Sequence, residues 1–555
     1  VGRRILVNQI TRMGDVLQTS PLIRAVREQH PDAFIVMLVR RMGKPVAERN
    51  PDVDEVLIYD EDALYVNLRA RDSLKLLEAY RTAEAFLEKL RGYGFDEAYN
   101  CTHSLSSALL MRIVGIPVVH GAHVSEHWSF ILRGGWTNYL FASLHNREYS
   151  DINLCDVFRQ LIANTAASPR LVFEVCEEDR RAAADLLQNH GLDGERPIVC
   201  FQLGASENEK RWPEYRFAEL AGFMADQMDA QIVLVGVNEE AGFGDAFEQA
   251  GGAPAARLYG ETSLPVLGAL LERSHLLVSN DTGTMHIAAA VECPTVLVSV
   301  GHVHFRETGP YGKGHVAVER RTDSAALRPE KVLDDERAFI QADQVLKAVQ
   351  LALQGDQRQL ADTAELDSVV LYRSDFAPDG CLEWYPVIRR AATQIDLLRI
   401  AYRAMWLDAL TSEPKATAER MSLTRMAGHF ESSGAADEWS ERLAPVFAEL
   451  AAMAERGSRM AEELIDILTM GRPMSQANEL AHRMSRLDGD MRVYGAVNDA
   501  ARPLTAIARF EQDNLEGSNP LLLAQTTLQI YRDLQVRSEL MMDKLGAIGK
   551  MLSGA

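Results

Sequence analysis

Leu276-Leu277-Val278-Ser279-Asn280-Asp281-Thr282-Gly283-Thr284-Met285-His286-Ile287-Ala288-Ala289-Ala290 is the stretch on which the fold turns. A compact apolar run leads into a tight turn and then an alanine-rich pattern at helical spacing, so it reads as strand, turn, helix. A helix starting near Thr282 aims unpaired backbone N–H groups and its positive dipole end beyond the strand. Gly283 lets an anion come close to that backbone, Thr282 adds a hydroxyl and His286, one turn in, an imidazole. Asp281 also suits the humbler task of capping the helix.

Working outward, the same strand-then-helix alternation fills residues 3 to about 350. Strands are predicted at Arg4–Asn8, Ala33–Val39, Glu55–Tyr59, Asp96–Asn100 and Pro117–Gly121, with helices between them such as Val16–Glu28 and Ser73–Arg91. After a polar stretch at Cys176–Arg196 the alternation restarts with Ile198–Leu203, Gln231–Val235, Leu276–Ser279 and Thr295–Val300. Alternating strands and helices imply a parallel sheet covered on both faces, here twice over. Two doubly wound units leave a cleft between them, where ligands commonly sit. An Asp-Thr-Gly triplet also serves aspartic proteases, but those need two copies in an all-β setting, and this chain has one.

Beyond residue 355 strand signals fade, apart from Ser368–Tyr372. Helical patterns run through Trp384–Leu410, Ala435–Met470, Gln476–Arg509 and Pro520–Leu552, with breaks at Ser412–Pro414, Gly471–Pro473, Arg502–Pro503 and Gly517–Pro520. This region holds 12 of the 19 methionines, which reads as plain core packing. The expected division is therefore 1–175, 176–352 and a helical bundle over 353–555.

Bulk properties narrow the function. A chain of 555 residues exceeds one core. Its net charge of -21 argues against a general nucleic-acid binder. Six scattered cysteines, with no CxxC pair, fit a reducing compartment. No apolar run approaches the ~20 residues that span a bilayer, and Val1–Ile10 lacks a signal-peptide pattern. A cytoplasmic protein is expected.

Two further constellations carry chemistry. Gly204-Ala205-Ser206 ends the first strand of the second unit, and Lys210-Arg211-Trp212-Pro213 follows. The Gly-Ala-Ser turn supplies backbone donors and Lys210 a cation for phosphate, whereas Trp212 and Pro213 read as structural, the proline opening a helix. Ile10-Thr11-Arg12-Met13-Gly14-Asp15-Val16-Leu17 follows the first strand of the first unit. Asp15 there is either a helix cap or a general base, and Gly14 permits a close approach.

Met13-Gly14-Asp15-Val16-Leu17, Gly204-Ala205-Ser206 with Lys210-Arg211-Trp212-Pro213, and Asp281-Thr282-Gly283-Thr284-Met285-His286 stand in one order and spacing, joined by Thr262-Ser263-Leu264 and Thr308-Gly309-Pro310-Tyr311-Gly312. Over residues 3 to 350 the set resembles the lipopolysaccharide heptosyltransferase family, glycosyltransferase family 9. The resemblance implies an α/β GT-B fold, two Rossmann-like domains facing a cleft. It also implies inverting, metal-independent transfer of a sugar, typically heptose from ADP-heptose, to a lipopolysaccharide-core acceptor. On this reading Asp15 is the base, with Arg12 and Gly14 on the acceptor side. Lys210 binds the donor phosphates beside Gly204 and Ser206. Thr282, Gly283 and His286 line the diphosphate site, with Asp281 holding the turn or touching the sugar. Glu239 or Glu240 grips the ribose, and Thr262, Ser263 and Leu264 pass near the adenine. No cofactor is implied beyond the nucleotide-sugar substrate.

Some features depart from that pattern. His302-Val303-His304 is a histidine-rich loop that reads as surface or donor-site histidines rather than a metal pair. His120, His123 and His127, with Trp128, Phe130, Trp136 and Tyr139, suit an acceptor cleft, a membrane surface or core packing equally. The helical region lies outside the family core, so a protein acceptor or an oligomer contact is an alternative to the glycolipid. An inactive nucleotide-sugar-binding scaffold is the alternative of another class. Residues 351–555 carry 22 basic and 30 acidic side chains, a net of -8, so that region is no polybasic anchor. Any membrane contact is expected to be peripheral.

Overall fold

The computed structural model describes residues 2–554, excepting 71, 163–168, 193, 322–335, 355–365, 367 and 412–415. The first unit holds β1 (Arg4–Gln9), β2 (Phe34–Val39), β3 (Glu55–Ile58), β4 (Glu97–Asn100), β5 (Val118–Val124) and β6 (Phe130–Arg133). They lie in the order β3-β2-β1-β4-β5-β6, parallel except for the antiparallel β5–β6 pair. After its first residue β1 is buried throughout, as is β2. Helices cover both faces, so these strands read as continuous apolar runs instead of alternating ones.

The second unit holds β7 (Ile198–Gln202), β8 (Gln231–Gly236), β9 (Ala255–Tyr259), β10 (Leu276–Ser279), β11 (Thr295–Ser299), β12 (Val316–Arg320), β13 (Val369–Phe376) and β14 (Leu382–Pro386). Their order is β14-β13-β12-β11-β10-β7-β8-β9, with β12–β13 and β13–β14 antiparallel and the rest parallel.

Two of these strands correct the sequence reading. The helix predicted over Trp384–Leu410 begins only at Gln394, where Thr393 and Asp396 form a capping box. Residues 382–386 instead pair with β13, and the weak strand signal at 368–372 is the start of β13. The region beyond 352 is thus helical only after it has given two strands to the second sheet. An apolar run of this length suits either state locally, and the free edge of β12 decided it. The helical stretch Gln476–Arg509 divides at the break expected at Arg502–Pro503, into Met474–Val497 and Arg502–Asp513, with a 3-10 turn at Asp499–Ala501 between them. The break expected at Ser412–Pro414 lies outside the described residues.

Helices Ala435–Thr469 and Pro520–Ser553 pack along one another and form the spine of the helical region. Its methionines Met453, Met484, Met491 and Met541 are buried, as packing predicts, whereas Met421, Met470, Met474 and Met551 are exposed. This region is fused to both units. Asn514 accepts from Leu132 N (2.7 Å) and donates to Leu132 O (3.1 Å), so one side-chain amide satisfies the edge strand β6. At the junction of all three parts, the buried Asp156 accepts from Tyr311 Oη (2.6 Å) and from Leu382 N (2.8 Å). Beside it the buried Arg403 donates to Asp151 O (2.8 Å), Leu382 O (2.7 Å) and Asp379 Oδ1 (2.9 Å). Buried charges survive only with such partners.

Candidate active site

Each sheet reverses its strand order once, beside β1 in the first unit and beside β7 in the second. Ligands of open α/β sheets bind at the carboxyl ends of strands at that reversal. Here the two carboxyl edges face one cavity of about 570 Å³. From the first unit Arg12, Gly14 and Asp15 reach it. From the second come Ser206, Lys210, Glu240, Thr262 and Leu264, together with Asp281, Thr282, Gly283 and His286. Three predicted residues stand back from it. Gly204 lies beneath a carboxylate, Ser263 caps the helix Leu264–Arg273 through Val266 N (3.4 Å), and Glu239 is exposed on a 3-10 turn.

Glycine sets the approach of the two units. A Cβ on Gly14 would stand 2.8 Å from His286 Cδ2, and one on Gly283 would collide with Met13 Cε. The start of helix Met13–Gln18 thus packs directly on the start of helix Gly283–Ala290. Thr282, not Asp281, is the N-cap of the second helix, and its hydroxyl lies 3.2 Å from Ser279 Oγ instead of bonding to the helix. Asp281 is left free to meet Lys210 Nζ at 3.8 Å. Lys210 also lies 3.5 Å from Glu207 and is largely buried. Asp15 occupies the third helical position, where its carboxylate accepts from Arg12 N at 3.2 Å. The two readings of Asp15 are compatible, because one oxygen caps the turn while the side chain lines the cavity.

Packing separates Glu239 from Glu240, because only Glu240 lines the cavity. Glu240 accepts from Gln202 Nε2 (3.0 Å) and from Val237 N (3.2 Å). Its two oxygens fill the space that a Cβ on Gly204 or Gly236 would need. The carboxylate is therefore held at the cavity wall by a nest that only glycines leave open.

Asn280 and Gln202 went unnoticed in the sequence. Fully buried, Asn280 donates to Leu203 O (2.9 Å) and Gly204 O (3.1 Å) and accepts from Trp212 N (2.9 Å). It rivets the Gly-Ala-Ser turn and the Lys210 loop to the end of β10. Gln202 links Glu240 to Thr284 Oγ1 (3.5 Å). An amide at a strand end beside glycines was the available signal for both. Trp212 is core, as expected, with its indole N–H on Ile340 O (2.9 Å).

Burial holds the His286 imidazole below its usual titration range, against the opposing pull of Asp281 and Asp15, so it is neutral in the folded state. His103, after β4, is shifted the same way by burial, with Asp15 opposing. Gln18 and Arg147 also line the cavity from the first unit. In the 302–304 loop, His302 stands 3.2 Å from Glu207, while burial lowers His304 to about 4. Trp136 and Tyr139 are core residues, and Tyr139 packs edge-on against Trp406 of the helical region. Trp128 is exposed with φ of 64°.

Residues 83–334 match the model of glycosyltransferase family 9 (heptosyltransferase). The two-sheet part of this chain is therefore similar to that family, over somewhat less than half of the chain's length. Among its relatives is lipopolysaccharide heptosyltransferase 2 of Escherichia coli (strain K12), 27% identical over 314 residues, which are 53% of this chain and 81% of the relative. Lipopolysaccharide heptosyltransferase 3 of the same strain is 25% identical over 303 residues, 53% of this chain and 82% of that one. A solved structure, the glycosyl transferase family 9 protein from Veillonella parvula DSM 2008, covers 64% of this chain and 98% of its own. Its TM-score is 0.51 at 22% identity, a likeness of fold. The chain is a family 9-like glycosyltransferase with the GT-B fold and a helical region beyond the matched part.

Proposed function

We propose that this glycosyltransferase moves heptose from ADP-heptose to a hydroxyl of a lipopolysaccharide-core acceptor, with inversion and without a metal, at the cytoplasmic face of a membrane. The observation that carries this reading is one cavity lined by Asp15 from one unit and by Lys210, Glu240 and Thr282 from the other. A base and an anion-holding surface on opposite walls are what a single displacement requires. Asp15 takes the acceptor proton as the hydroxyl oxygen attacks the anomeric carbon, and the bond to the diphosphate breaks on the opposite side. Lys210 and the N-terminus of helix Gly283–Ala290 meet the charge that develops on the departing diphosphate. His286 stays neutral and serves as a hydrogen-bond partner, and Glu240 accepts from the ribose. Heptose and the lipopolysaccharide acceptor come from the names of the relatives, and ADP from the family resemblance.

The test is a panel of ADP-, UDP- and GDP-sugars in a thermal-shift assay, followed by transfer to lipopolysaccharide core. A true donor stabilises the folded chain by mass action. Stabilisation by ADP-heptose and transfer that gives the opposite anomer are expected. Stabilisation by a UDP- or GDP-sugar alone would overturn the donor assignment.

A further inference from the structure

We propose that the helical hairpin formed by Glu61–Arg69 and Ser73–Tyr93 seats its tip in the surface of an anionic lipid bilayer. The proposal rests on the glycolipid acceptor named above. Large apolar side chains stand in solvent along this tip: Tyr65, Val66, Leu68, Leu74, Leu77 and Tyr80, with Leu74 78% and Val66 67% exposed. Such density within 16 residues is far from the scattered apolar residues of an ordinary surface. The helices pack on each other, and the long one buries only Ala79 and Leu90, so its first half projects from the body. Asp72 caps its start through Leu74 N (2.8 Å), which makes the projecting end a formed helix.

Charge selects the partner. Among the described residues of the tip, Arg69, Lys75 and Arg81 stand against Asp72 and Glu78, a net of +1 in a chain whose total is -21. Leucines and tyrosines flanked by arginine and lysine are the composition that rests at the headgroup boundary. A second copy of so acidic a chain brings no comparable attraction. Placement agrees. The hairpin leaves the carboxyl end of β3, the sheet edge from which Asp15 projects, and ion pairs Arg40–Glu61 and Arg41–Asp60 brace its root. A bilayer under the tip would lie beside the acceptor side of the cavity. The tip precedes residue 83, where the family match begins.

The full chain is sedimented with vesicles of phosphatidylethanolamine and phosphatidylglycerol, and with phosphatidylcholine vesicles as the neutral control. Binding to the anionic vesicles, weakened by salt, is expected. The pair Leu74→Glu and Leu77→Glu should lower it by about a hundredfold, and Lys75→Glu with Arg81→Glu by a smaller factor. Absence of binding, or binding that the leucine pair leaves unchanged, overturns the proposal. So does a fall in molecular mass of the leucine variant by light scattering, which would make the face a contact between copies. Stabilisation by ADP is measured on the same samples and should be equal in all of them. Its absence from the unmodified chain would count against the donor reading and leave the vesicle result standing.

Discussion

The helices Met13–Gln18 and Gly283–Ala290 are the same device used twice: a strand end, a turn, a glycine, and a helix start aimed into the cavity. They differ in what surrounds the glycine. The first carries its carboxylate inside the first turn, held by Arg12 N. The second has Thr282 as the cap and a neutral, buried His286, and Lys210 crosses over to it from the β7 loop. On the proposed mechanism, one backbone arrangement would serve as a proton acceptor on one wall and an anion holder on the other. Side-chain placement, not fold, separates the two roles.

The largest effect is expected where the first wall loses its base. Asp15→Asn keeps an oxygen for Arg12 N but not a proton acceptor, so kcat should fall by about 10³-fold with stabilisation by ADP unchanged. Activity at the original level would remove Asp15 from the chemistry and make the two helices alike. On the second wall, Lys210→Ala should weaken nucleotide binding roughly 10- to 100-fold, read by calorimetric titration of ADP. An equal loss in kcat at saturating donor would place Lys210 in the transition state as well.

A finer contrast lies within the second unit. Glu240→Gln should raise the donor KM by about tenfold, and Gly204→Ala should follow it because a methyl group there displaces the same carboxylate. Glu239→Gln, on the exposed turn, should change nothing. Matching losses for both glutamates would undo the assignment by packing. The smallest effect is on stability in acid. Burial lowers the folded-state pKa of His286, so the unfolded chain gains a proton first as pH falls through about 6.5, and stability drops. His286→Gln should show a melting temperature that declines less between neutral pH and pH 5, by a few degrees. A parallel decline would mean that the imidazole is solvated.

Legibility in the sequence followed locality. Leu276–Ser279 was readable to the residue, and the helix behind it to within a residue at its start, because strand, turn and helix there are all short-range. β9 and β12 gave no clear signal, and β14 was read as helix. Their state depends on the neighbouring strand edge, which periodicity does not report. At the site, Asp15, Lys210 and Gly283 were visible as strand-end residues of the right chemistry. Asn280 and Gln202 were not, since their hydrogen bonds reach segments about 80 and 40 residues away.

The sequence by itself determined that two doubly wound units exist, where their strand-end turns lie, and which residue types those turns carry. All of this follows from local periodicity and turn chemistry. Only the tertiary structure decided that Gly14 meets His286 across the cavity, that Glu240 and not Glu239 faces it, and that the helical region lends two strands to the second sheet. Those outcomes depend on which surfaces come within a few ångströms of each other, and packing at that range is settled by the whole chain at once.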